Sequence, residues 1–166
     1  MAAPTVNIVV TDTALAADGD NACREVLLRE EEGQRYLPIF IGPPEATAIV
    51  YALQGLETPR PMTHDLFKTV LDDLSASLDK VEITELQNGT FFAEIEIVRN
   101  GERARISSRP SDAIALAVRY GGTIPIFVDE SVLEEAGVLF EADEEEEQVE
   151  QFREFLDQIT PEDFAQ

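Results

Sequence analysis

The 166 residues are enough for one domain with a single sizeable core. They carry 34 acidic and 12 basic residues, a net charge of −22, which opposes the loose binding of nucleic acid that needs a basic footprint. A lone cysteine, Cys23, excludes an intrachain disulfide and a cysteine-built zinc site.

The charge is uneven. Residues 129–166 hold 15 acids and one base, Arg153, which is −14 and leaves −8 for the rest of the chain. Lys68 and Lys80 are the only lysines. A dense acidic surface nearly free of lysine reads as a halophilic protein, because strong salt screens its self-repulsion; the alternative is an ordinary acidic bacterial protein. No run approaches the eighteen or so apolar residues of a membrane span, so no membrane partner is expected. Met1-Ala2-Ala3-Pro4 lacks the basic region and apolar run of a secretory leader. The expected location is cytoplasmic.

Val6–Val10 and Glu25–Arg29 read as two strands separated by the turn residues Asp18-Gly19-Asp20-Asn21. Tyr36–Ile41 is a third strand, and Pro38 marks it as an edge or a bulge. Gly42-Pro43-Pro44-Glu45 opens a helix. Its apolar face is Ala46, Ile49, Val50 and Leu53, and Gly55 ends it. After Thr58-Pro59-Arg60-Pro61, Thr63 is the expected N-cap of a second helix. Met62 and Phe67 form its staple, and Leu66, Phe67, Val70, Leu71, Leu74 and Leu78 its inward face. Val81–Leu86, Thr90–Arg99 and Ala104–Ser107 form a meander around Asn88-Gly89 and Asn100-Gly101. Along it Ile95 and Ile97 point inward and Glu94 and Glu96 outward.

Arg109-Pro110-Ser111-Asp112 then enters the helix around which the chain is organised. Pro110 suits the first helical position, Asp112 meets the positive helix end, and Gly121 closes the helix. Ala113–Val118 is apolar on every side, so this helix is expected at the centre of the core. A strand Ile124–Val128 and a short helix Ser131–Ala136 follow. Glu141–Glu147 reads as an acidic linker. Val149, Phe152, Phe155, Leu156 and Ile159 have the spacing of an amphipathic helix.

Several of these segments resemble one known family. Leu37-Pro38-Ile39-Phe40-Ile41-Gly42 with Glu45-Ala46, Arg60-Pro61-Met62-Thr63-His64-Asp65-Leu66, Arg109–Ala117 and Pro125-Ile126-Phe127-Val128 occur in the order found in the bifunctional nuclease domain family. The resemblance spans about residues 6–138 and is similar in its ending to bacterial members. It implies an α+β fold with a mixed, strongly bent β-sheet, a buried central helix and flanking helices, assembled as a homo-oligomer (dimer or trimer). Residues 1–138 would form the domain, and 139–166 the acidic linker and C-terminal helix. It also implies cleavage of RNA and DNA.

The residues offer their own chemistry. His64, the only histidine, can act as a general base beside Asp65 and Asp112, the three forming the catalytic candidates. Its alternative is a ring packed at the helix entrance. Arg60, Arg109 and Ser111 can hold a phosphate at two helix N-termini. In the alternative, Arg60 and Arg109 pair with Asp65 and Asp112 and hold the entrances together. Glu45, Asp65 and Asp112 can bind Mg²⁺ or Mn²⁺, since hard cations take carboxylate oxygens. Ser111 as a nucleophile lacks the strained turn of a nucleophile elbow. Two functions therefore stand: a metal-assisted nuclease, and a non-catalytic homo-oligomeric binding or regulatory module. The first expects the two Arg-Pro entrances to converge around an open cleft. The second expects sealed ion pairs.

Overall fold

The computed structural model of the protein describes residues 5–18 and 21–139. The acidic linker and the amphipathic C-terminal helix lie outside the described residues. Eight strands form one sheet: β1 (Thr5–Asp18), β2 (Asn21–Glu30), β3 (Arg35–Ile41), β4 (Ala76–Gln87), β5 (Thr90–Arg99), β6 (Glu102–Ser108), β7 (Ile126–Asp129) and β8 (Val138–Leu139). Four helices pack on it: α1 (Pro43–Leu53), α2 (Thr63–Asp73), α3 (Pro110–Ala117) and α4 (Glu130–Ala136). The strand order is β6-β5-β4-β7-β1-β2-β3-β8, and the sheet is open. Only β4 and β7 pair in parallel, so the sheet is mixed and the fold is α+β.

The meander is built as its turns dictate. Asn88-Gly89 and Asn100-Gly101 all take positive φ, from 50° to 82°, the conformation that matches the twist of a two-residue hairpin. Ile95 and Ala93 are buried. On the opposite face Glu82, Glu94 and Glu96 pair with Arg103 and Arg105. Pro38 fits because β8 pairs with β3 only at Arg35 and Tyr36. Beyond that point β3 is a free edge, and a missing N–H costs nothing.

α3 is the centre of the core. Ala113, Ile114, Ala115, Leu116 and Ala117 are all at most 3% exposed, packed among Ile49 of α1 and Val81, Ile83 and Ile95 of the sheet. A short 3-10 turn, Val118–Tyr120, finishes the helix, and Gly121 closes it with φ 65°. The left-handed position suits glycine because it has no Cβ to clash.

Three expectations are corrected. Leu78 is buried in β4, not on α2, because α2 ends at Asp73 and the chain reverses through Ser75 at φ 54°. The N-cap of α2 is Met62, one residue before Thr63, which removes the Met62–Phe67 staple. The expected inward face of α2 is mostly outside: Leu66, Phe67, Val70 and Leu74 are each 42–56% exposed, and Leu71 alone on the helix is buried. The physical reason is that α2 meets the body only along one narrow line, against α3 and β4.

Candidate functional site

The N-terminal ends of α1, α2 and α3 meet. Gly42-Pro43 starts α1, Met62-Thr63 starts α2 and Arg109-Pro110 starts α3. Each helix has one acid in its first turn, Glu45, Asp65 and Asp112, where a carboxylate meets the positive end of the helix dipole. The three positive ends would repel without these acids.

Two networks join the acids. In the first, the Arg109 guanidinium donates to Asp112 through Nε (2.7 Å) and Nη2 (3.1 Å), and to Glu45 through Nη1 (3.1 Å). Asp112 Oδ1 also lies 3.1 Å from Nε2 of His64, which brings α2 to α3 across 48 residues of sequence. In the second, Arg119 Nε donates to Asp65 Oδ1 at 2.5 Å, and its Nη1 donates to the carbonyls of Ala48 (3.1 Å) and Ala115 (2.5 Å). The other oxygen of Asp65 accepts the Met62 N–H at 2.8 Å and so caps α2 from inside its first turn.

The sequence therefore identified the meeting point and misassigned one partner. His64, Asp112, Arg109 and Glu45 converge. Asp65 belongs to the neighbouring network and pairs with Arg119, not with Arg60. Arg60 is exposed; its carbonyl accepts the Thr58 hydroxyl, and its guanidinium makes no hydrogen bond or ion pair among the described residues. Arg119 was not foreseen, although its side chain is only 6% exposed. A single cation at the end of an otherwise apolar helix was the available signal, since a buried arginine requires a partner.

Burial raises the Asp112 carboxyl pKa, but the hydrogen bonds from Arg109 and His64 and the charge of Arg109 outweigh it, and the group titrates below the usual carboxylate range. Asp65 behaves likewise: burial opposes, while Arg119 and the Met62 N–H prevail. A carboxyl whose folded pKa lies below its unfolded value of about 3.9 contributes stability above that pH and loses it as pH falls through the lower folded value. Thermal melts in steps below about pH 4 should therefore show a steep acid loss. Asp112→Asn should flatten it. An unchanged slope in the variant would remove Asp112 from the linkage.

One side of the first network is open. A cleft of about 380 Å³ is lined by Ile39, Phe40 and Ile41 of β3, Gly42 and Glu45 at the start of α1, Gly89–Phe91 of the β4–β5 hairpin, and Arg109–Ser111. Arg109 is 65% exposed at its rim. Ser111 is 6% exposed and lines the cleft, and its hydroxyl makes no hydrogen bond among the described residues. A larger cavity of about 750 Å³ lies at the other ends of α1 and α3, against Leu53, Val118 and Gly121–Ile126. It contains no predicted site residue, and Asn7 of β1 and Glu31 of the β2–β3 turn bond each other at its wall.

Among the described residues no group of three or more His, Cys, Asp or Glu side chains is placed to hold a metal. Glu45 and Asp112 do share one guanidinium. A Mg²⁺ bound there would displace that guanidinium, use the two carboxylates, and complete its shell with water and substrate phosphate.

The uncharacterized proteins MT1877 and Rv1829 of two Mycobacterium tuberculosis strains, CDC 1551/Oshkosh and H37Rv, are each 49% identical over 147 residues, covering 84% of this chain and 87% of theirs. The family model of the bifunctional nuclease domain matches residues 26–141, which include all three helix entrances and the cleft. No helix among the described residues is long and apolar enough to cross a membrane. On the matched span and its motifs, the chain belongs to the bifunctional nuclease domain family.

Proposed function

We propose that this chain hydrolyses phosphodiester bonds of RNA or DNA at the cleft between the α1 and α3 entrances. The observation that carries the reading is Arg109: one exposed guanidinium holds Glu45 and Asp112 at the edge of an open cleft. A phosphate entering the cleft competes for the same donors, because guanidinium binds carboxylate and phosphate in the same forked geometry. The Ser111 hydroxyl is free to donate to a second phosphate oxygen. Asp112 holds His64 through Nε2, which leaves Nδ1 as the atom that takes a proton from water as general base. Mg²⁺ or Mn²⁺, when bound by Glu45 and Asp112, would supply charge for the developing phosphorane oxygens.

The rest of the surface discourages nucleic acid. Arg103, Arg105 and Arg35 are all consumed by carboxylates, and the net charge is −22. Binding is then local and weak, and catalysis is confined to strands that reach the cleft. Highly purified protein should release fragments from labelled RNA or DNA with Mg²⁺ or Mn²⁺ and not with EDTA. His64→Ala and Asp112→Ala should each lower the rate at least about 100-fold, the usual worth of a general base. Equal residual activity in wild type and both variants would assign the cleavage to a contaminant.

We also propose that the chain assembles as a homo-oligomer, a dimer or trimer, in the cytoplasm. The contiguous exposed Leu66, Phe67, Val70 and Leu74 of α2 support this, since soluble monomers rarely leave such a stripe uncovered.

A further inference from the structure

The cleft holds two features that phosphate chemistry does not use. Phe40 is 63% exposed, the second most exposed of the large apolar side chains described, and it lines the cleft together with Phe91. The two rings come from β3 and β5, five places apart in the sheet order. The fold nevertheless brings both to one cleft. Leaving a phenylalanine in water forgoes the burial that the adjacent Ile39, at 3% exposed, obtains in the core. Beside the rings, the Ser111 hydroxyl lines the cleft and has no hydrogen-bond partner among the described residues. Arg109 is charged and exposed at the same edge. An aromatic wall, an unused hydroxyl and a guanidinium together match a flat apolar ring carrying a phosphate.

We infer that the cleft receives an unpaired nucleobase stacked on Phe40, with its own phosphate on Arg109 and Ser111, so that the substrate is single-stranded. This rests on the phosphodiester reading above. In a duplex the base faces are already stacked on their neighbours and cannot reach Phe40. In a single strand each base offers a free face, and stacking tolerates any sequence. The contact also answers the charge problem, because ring stacking adds affinity that the acidic surface does not repel.

The test is anisotropy at low salt in EDTA, with a labelled ten-nucleotide oligothymidylate, its duplex with oligoadenylate, and an abasic sugar-phosphate chain of the same length. Wild type should bind the single strand more tightly than the duplex. Phe40→Ala should weaken the single strand about tenfold or more and leave the abasic chain unchanged, while Phe40→Trp should restore the single strand. Arg109→Ala should weaken all three. If Arg109→Ala weakens binding and Phe40→Ala does not, stacking is overturned and the phosphate site stands. If neither matters, both fall. Sedimentation of Phe40→Ala adds a separate outcome: loss of self-association without loss of oligonucleotide binding would make the ring a contact between copies and overturn the inference. Phe40 is largely outside the core, so the variant should fold, and its melt confirms that.

Discussion

Ile114→Ala is expected to destabilise the protein by roughly 2–5 kcal/mol, lowering the melting midpoint by about 5–15 °C for a chain of this size. Ile114 is 0% exposed and sits midway along α3. The helix is covered by α1, α2, β4 and β5, so no single neighbour can move to fill the space. Three apolar carbons are removed from a close-packed interior, and both the transfer loss and the residual cavity count. Thermal and denaturant unfolding of the variant measure it. A midpoint within about 2 °C of wild type, no more than the shift of about 1 kcal/mol, would mean that α3 is not the centre of the core.

Arg119→Ala is expected to cost about 2–3 kcal/mol, below the 3–5 of a fully buried broken pair because Asp65 keeps some water. The Arg119 side chain is 6% exposed against 38% for Asp65. Removing the guanidinium takes a side-chain donor from the carbonyls of Ala48 and Ala115 and leaves Asp65 with only the Met62 N–H. The broken ion pair, with Asp65 left half-buried and short of a donor, carries most of the cost. Arg119→Met keeps much of the volume and separates the two causes: a smaller loss than Arg119→Ala assigns the remainder to packing. Stability unchanged in both variants would show that the second network is not structural.

The fold was largely legible because the strongest local rules point the same way. Asn88-Gly89 and Asn100-Gly101 each demand a tight hairpin, and the apolar run of Ala113–Val118 with Pro110 before it demands a buried helix. The meeting of the entrances was legible from Arg109, Asp112 and His64, since charges at helix ends need partners of opposite sign. What was hidden came from tertiary choice. Asp65 had two arginines within reach of the argument, Arg60 close in sequence and Arg119 far from it. The fold buries the second. The exposed stripe on α2 has the same periodicity as a core face, and only the position of the helix on the body distinguishes them. Phe40 and Phe91 sit in strands far apart in the sequence, and only the folded chain shows that they share a cleft.

The most direct test is to locate the bound ligand on the protein. Isotope-labelled protein titrated with the same oligothymidylate at low salt, in EDTA, should show its largest amide shift changes at Gly42, Phe91, Ser111 and Asp112. Those residues lie in or beside the cleft at the α1 and α3 entrances. Changes centred instead on Gly121, Gly122 and Ile124, at the larger cavity, or no changes at millimolar oligonucleotide, would contradict the site.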